Sequence, residues 1–285
     1  MKKILVATDF SPRSDRAIRR GVLLAKDFGA SLTLLHVVDN DQPDRIVQAK
    51  REAATALLSE QAASLSQIDG ISCDYSVFMD APFAGIQQAV KTAAPDVLLI
   101  GPHRRQALRD IFVGTTAERT IRSKSAPVLM ANGVPASGYR HALVAVDFSD
   151  CSRDAMRAVV ALGLKARLAI SVIHVLDNPA AGPMSKAPLT EAEARDYVMA
   201  EEKRAAGELT ALVFDAGLAP AKELVRLNDR SAADIVCATA KEIGADLIVV
   251  GTHGRSGLSK LMLGSVAQEI LSCAEVDVLA VPPRA

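Results

Sequence analysis

The chain has 285 residues, 49% hydrophobic and 23% charged, the balance of an ordinary globular protein with room for two domains of roughly 100–200 residues each. Its 33 basic and 33 acidic residues cancel, it has no Trp, and only 4% of its residues are aromatic. It therefore lacks the basic excess of a phosphate-backbone binder and the rings of a single-strand stacking surface, and nucleic acid is not an expected partner.

The first apolar run, near 3–8, predicts a strand ending at Asp9. Lys2-Lys3 ahead of it resembles the start of a signal peptide, but Asp9 interrupts the run too early for one. No apolar run reaches the roughly 18 residues of a membrane span, so a cytoplasmic location without a membrane partner is expected. Ser11-Pro12 opens a helix over 12–28, with Pro acceptable in the first turn and Ala17, Val22, Leu24, Ala25 and Phe28 largely on one side. Strands follow near 31–37, 73–78, 97–101 and 127–131. Asn132–Gly138, rich in turn formers, reads as a linker between a first domain over 1–132 and a second over 139–285.

Second-half strands are expected near 141–146, 168–175, 221–226, 246–250 and 278–281. Thr190-Glu191-Ala192-Glu193 has capping-box spacing for a helix to about 216, on which Met199 is expected to pack. Ser231 is placed to cap the next helix.

The second half repeats the first. Ile4-Leu5-Val6-Ala7-Thr8-Asp9-Phe10-Ser11 recurs as Ala142-Leu143-Val144-Ala145-Val146-Asp147-Phe148-Ser149, and His36-Val37-Val38-Asp39 as His174-Val175-Leu176-Asp177. Ala94-Pro95-Asp96-Val97-Leu98-Leu99-Ile100-Gly101 recurs as Gly244-Ala245-Asp246-Leu247-Ile248-Val249-Val250-Gly251. Runs such as Leu98-Leu99-Ile100 are apolar on both faces, as central parallel strands covered by helices are. The alternation predicts α/β architecture with right-handed crossovers and doubly wound sheets.

In such sheets ligands bind beyond the carboxyl ends of the strands. Asp9 and Asp147 stand at the ends of the first strands, Gly101 and Gly251 at the ends of the fourth. Gly251-Thr252-His253-Gly254 runs through nine residues to Gly264-Ser265, a G-x2-G-x9-G-S pattern in which a helix resumes at Ser265. Glycines let backbone N–H groups approach a phosphate, and a helix N-terminus favours an anion. The pattern fits an anion or nucleotide site. It also fits a turn whose glycines serve only close strand-to-helix packing. Neither a Walker A loop nor a G-x-G-x-x-G fingerprint is present.

His36 and His174 are expected to be hydrogen-bonded structural residues, while His103 and His253 lie in the phosphate loops. Ser265 has no evident activating base, and the residues favour binding over catalysis. Ser256, Ser259, Arg255 and Lys260 could touch a phosphate or merely face solvent. Segment 178–189, with three prolines, reads as a flap or a plain loop. Cys73, Cys151, Cys237 and Cys273 show no CxxC or zinc-ligand spacing and are expected to be reduced thiols with no resident metal.

The Val-Ala-x-Asp-Phe-Ser openings, the His-Val strand ends and the glycine pattern, complete in the second half, resemble in this order two universal stress protein domains that together cover nearly the whole chain. The resemblance implies two Rossmann-like domains, each a five-stranded parallel sheet in order 3-2-1-4-5 with helices on both faces. It implies an adenine nucleotide, ATP, in domains with the complete motif, with Mg2+ or Mn2+ arriving on the phosphates. Asp147 would then meet the nucleoside and Val175 the adenine through its backbone. Gly251, His253, Gly254, Gly264, Ser265 and Val266 would line the phosphates.

The matching first-half positions are Asp9, Val37, Gly101, Arg104, Gly114 and Thr115. Arg104 replaces the second glycine and Pro102 removes a donor, so a weaker or lost second site is expected. By the same resemblance the fifth strands carry self-association, so 127–131 and 278–281 could pair within the chain as a pseudo-dimer, with a further homodimer left open. The implied role is a nucleotide-dependent stress-response module. Slow ATP hydrolysis or self-phosphorylation through Ser265 and His253 is one alternative. A scaffold for unknown protein partners, with vestigial sites, is the other.

Overall fold

The computed structural model describes residues 1–102, 116–123, 125–176, 191–254 and 263–284. Serine hydroxyls open several helices. Ser11 accepts the Ser14 N–H ahead of α1 (Pro12–Phe28), and Ser149 accepts that of Ser152 ahead of α5 (Asp150–Ala161). Ser231 accepts the Asp234 N–H ahead of α7 (Ala232–Glu242). The left-handed Gly29, at φ 62°, stops α1.

The first half comprises β1 (Lys3–Ala7), α1, β2 (Ser31–Val38), α2 (Asp44–Asp69), β3 (Cys73–Met79), α3 (Pro82–Ala93), β4 (Val97–Ile100), α4 (Thr116–Arg122) and β5 (Val128–Met130). The second comprises β6 (His141–Val146), α5, β7 (Ala169–Leu176), α6 (Glu191–Asp215), β8 (Lys222–Leu227), α7, β9 (Leu247–Gly251), α8 (Ser265–Cys273) and β10 (Asp277–Val281). Thr190, expected to open the helix over 190–216, and the segment 178–189 lie outside the described residues. Met199, expected to pack, is exposed on α6, because the buried side of that helix is set by Ala205, Leu209, Leu212 and Val213.

The strands form one sheet in the order β3-β2-β1-β4-β5-β10-β9-β6-β7-β8. Neighbours within each half run parallel. The halves join where Val278, Leu279 and Ala280 pair antiparallel with Met130, Leu129 and Val128. The two five-stranded sheets are thus continuous, and each short edge strand is covered by the other.

Side-chain alternation divides the core. Ile4, Val6, Val144 and Val249 face Leu24 of α1, Leu58 of α2, Met156 of α5 and Leu209 of α6. Leu5, Leu143 and Ile248 face Val90 of α3, Ile121 of α4, Val236 of α7 and Ile270 of α8. Both layers run across the junction, so neither half has a core closed off from the other.

At the edge opposite the candidate site, one repeated carboxylate per half ties strands together. Asp96 accepts the N–H groups of Lys2 and Lys3, and Asp246 those of Arg140 and His141. Burial alone would raise the Asp96 carboxyl, but these N–H bonds and the nearby positive N-terminus and Lys2 hold it below its ordinary value. A depressed folded-state pKa contributes stability that is complete above the unfolded value of about 3.9 and lost as pH falls through the lower folded value. Asp96→Asn should therefore be less stable than the parent near neutral pH and lose less stability between about pH 5 and about pH 2. Urea melts across that range check this, and parallel pH profiles for the two proteins would refute it.

Candidate functional site

Beyond β6 the chain turns sharply. Phe148 takes a left-handed φ of 62°, and its first-half counterpart Phe10 takes 59°. This conformation is costly for a bulky residue and persists where its surroundings enforce it. Here the rings are held: Phe148 packs on His174 at 4.2 Å between centroids, and Phe10 on His36 at 4.5 Å. Each imidazole is fixed in turn, with Nδ1 of His174 donating to the Val146 carbonyl and Nδ1 of His36 to that of Thr8, both at 2.8 Å. The two histidines therefore lock the ends of paired strands, as expected for structural residues.

The turn presents Asp147. Its Oδ1 accepts the Ser149 N–H at 3.1 Å and both the Ser149 and Ser152 hydroxyls at 2.5 Å. Ser152 Oγ also accepts the Asp147 N–H at 2.9 Å. The other oxygen, Oδ2, faces Gly254, where a Cβ would come within 2.8 Å of it. Sequence reasoning placed Asp147 and Gly254 at the ends of different strands, and the fold sets one directly over the other. It missed Ser149 and Ser152 as orienting residues, although the repeated Asp-Phe-Ser was the available signal.

Gly264 closes the arrangement from the far side of the glycine pattern. Its N–H donates to the Thr252 carbonyl at 2.8 Å. A Cβ on Gly264 would sit 3.6 Å from the Gly254 nitrogen and 3.7 Å from the His253 Cα. Gly264 also caps α8 with no side-chain hydrogen bond, and the first intrahelical bond there runs from the Gln268 N–H to the Gly264 carbonyl. The backbone N–H groups of Ser265 and Val266 belong to that first turn, and both residues are exposed. Val175 lies one residue past His174, which pairs with Val146, so it sits level with Asp147 at the same sheet edge.

Two predicted site residues have other local duties. A Cβ on Gly251 would lie 3.0 Å from the carbonyl carbon, oxygen and Sγ of Cys151 at the start of α5. Gly101 meets Arg13 and Ser14 of α1 in the same way, at 2.8–2.9 Å. For these two glycines, the strand-to-helix approach suffices to explain the residue type. His253 turns its ring inward, with Nδ1 2.9 Å from the Thr252 hydroxyl and Nε2 buried.

In the first half, Asp9 accepts the Ser11 N–H at 3.0 Å. Burial pushes its carboxyl up, but the hydrogen bonds from Ser11 and Ser14 outweigh burial and leave it below its ordinary value. Val37 is half-buried and faces Gly85 of α3, whose missing Cβ would collide with it at 2.5 Å. Arg104, Gly114 and Thr115, with His103, lie outside the described residues, as do Arg255, Ser256, Ser259 and Lys260.

Among the described residues, no helix is long and apolar enough to cross a membrane. The profile of the universal stress protein family matches the chain twice, over residues 1–132 and 138–282. A universal stress protein of Mycolicibacterium smegmatis is 24% identical over 300 aligned positions, which cover 99% of this chain and 97% of the relative. Universal stress protein A homolog 1 of Coxiella burnetii is 32% identical over 145 positions, 50% of this chain and 96% of its own. The crystal structure of a universal stress protein from Archaeoglobus fulgidus superposes with a TM-score of 0.66 at 18% identity, covering 99% of this chain and 98% of that one, a likeness of fold.

Proposed function

The chain belongs to the universal stress protein family, with two family domains in tandem, and from that premise we propose that it binds ATP in its second half and acts as a nucleotide-dependent stress-response and regulatory module of the cytoplasm. The observation that carries this reading is the convergence of Asp147, Gly254 and the Gly264 cap of α8 on one cleft at the carboxyl edge of the sheet. A carboxylate oriented by two serines suits ribose hydroxyls. The backbone of Val175 is level with it and suits an adenine edge. The exposed first turn of α8, with the Ser265 hydroxyl and the N–H of Val266, suits phosphate oxygens and their negative charge. A Mg2+ or Mn2+ ion would be held mostly by the phosphates themselves.

The two units proposed are 1–132 and 139–285, with the working site in the second. The first half has the same Asp-Phe-Ser turn. By the internal repeat, however, Arg104 takes the place in the sequence of Gly254. Hydrolysis is the weaker reading, because the His253 ring, with Nδ1 on the Thr252 hydroxyl and Nε2 buried, is poorly placed to activate water.

The test is the nucleotide content of the purified chain, released by denaturation, followed by titration of nucleotide-free protein with ATP and Mg2+. One ATP per chain is the expected result. Two would show that the first half also binds. Failure to bind any would remove the proposal and leave a scaffold for partner proteins.

A further inference from the structure

Cys237 lies in the middle of α7 and Cys273 ends α8, and these helices pack against each other on the same face of the sheet. The two sulfur atoms are 3.0 Å apart. A disulfide bond is about 2.0 Å long, so closing the gap takes about 1 Å of sulfur movement. Cys273 is exposed at its helix end, whereas Cys237 is half-buried behind it. Among the described residues, no three His, Cys, Asp or Glu side chains gather around a common point, so the pair is not part of a larger metal-binding set.

We propose that Cys237 and Cys273 are an oxidisable dithiol, which hydrogen peroxide converts into an intramolecular disulfide stapling α7 to α8. The Cys273 thiolate attacks one peroxide oxygen, the O–O bond breaks, and the departing oxygen leaves as water after taking a proton. Cys273 is now a sulfenic acid. The Cys237 sulfur, having lost its proton, then attacks the Cys273 sulfur. The S–S bond forms, the S–O bond breaks, and hydroxide leaves to become a second water. Two thiols are oxidised by two electrons, and one peroxide is reduced.

The order of attack follows from exposure, since a peroxide reaches Cys273 before the half-buried Cys237. Cys273 is the exposed sulfur, and with the Cys237 thiol as donor across the 3.0 Å contact its thiolate is stabilised and its pKa moves down. The same bond, followed by burial, moves Cys237 up. The nearby carboxylates of Asp234, Glu269 and Glu275 oppose thiolate formation in the pair. The remaining cysteines are poor competitors. Burial and then Asp74 push Cys73 up to about 11, and burial raises Cys151 in the packed core.

The test adds hydrogen peroxide to the full-length reduced protein after removal of reductant. Intact mass should fall by two hydrogen atoms with no oxygen gained, and peptide mapping should join Cys237 to Cys273. A dithiol reductant should reverse both changes. In Cys237→Ser, dimedone should trap the Cys273 sulfenic acid at least about tenfold more than in the parent, because the resolving thiol is gone. Oxidation of Cys73 or Cys151 at the rate of Cys273, oxygen gain without a cross-link, or cross-links only between chains would each overturn the proposal. The parent mapping decides the matter even if the variant folds poorly.

Discussion

Gly254→Arg should abolish ATP binding in the second half and leave the fold standing. The expected weakening is on the order of a hundredfold or more, about 3 kcal/mol of binding free energy. The reason is positional. A Cβ at 254 would meet Asp147 Oδ2 at 2.8 Å, closer than real Cβ atoms come, so the carboxylate must turn away. Residue 254 lies in irregular backbone after β9, so no strand or helix hydrogen bond is at stake. Thermal unfolding should therefore move little.

Gly251→Ala should behave in the opposite way. Its Cβ would press on Cys151 backbone atoms at 3.0 Å, where relief requires moving α5, and overpacking of that kind costs about 1–3 kcal/mol. Calorimetric ATP titration and thermal melts on both variants separate the two roles. If Gly254→Arg binds ATP like the parent, the cleft is not the nucleotide site.

This contrast shows where sequence was legible and where it was not. Apolar runs and turn residues marked the strands, most clearly the central ones, because parallel strands covered on both faces have few other uses for Val, Leu and Ile, whereas the edge strands β3 and β8 are partly exposed. The glycine pattern marked the cleft, yet it did not say which glycine does what. Gly251 and Gly254 look alike in one dimension, and only the position of α5 separates a packing glycine from a cleft glycine. Ser149 and Ser152 were hidden for a similar reason: a serine at a helix start reads as a cap, and both also hold Asp147. The cysteines were read one at a time as reduced thiols, and nothing in their spacing pairs Cys237 with Cys273. The pairing appears only once α7 and α8 lie side by side on one face of the sheet.

Least legible was the fastening of the two halves. Arg20→Ala should destabilise the whole protein by about 3–5 kcal/mol, the effect of leaving a buried charge without its partner. Arg20 on α1 is 6% exposed and Asp277 on β10 is 1% exposed, with Nε and Oδ2 2.7 Å apart. Around this pair the linker is gathered in. Arg20 donates to the Ser137 carbonyl at 2.8 Å, its guanidinium lies 4.1 Å from the Tyr139 ring centre, and Gly133 N–H donates to Asp277 at 2.7 Å. The Tyr139 hydroxyl donates to the same carboxylate; burial first, and Asp277 second, push its pKa up, so it keeps that proton.

The repeat puts Ala158 at the Arg20 position and Pro127 at the Asp277 position, so the second copy of this network cannot form. The junction ladder itself joins only three residues of β5 to β10 and, by the internal repeat, does not distinguish one half from the other. The asymmetric pair does, by binding α1, the linker and β10 of one chain together. Chemical denaturation of Arg20→Ala, Asp277→Asn and the double variant Arg20→Met/Asp277→Asn tests this. The double variant should recover part of the single-variant loss, since no charge is then buried alone. A loss of no more than about 1 kcal/mol for Arg20→Ala would mean that the pair behaves as a solvated surface bridge and does not fasten the halves.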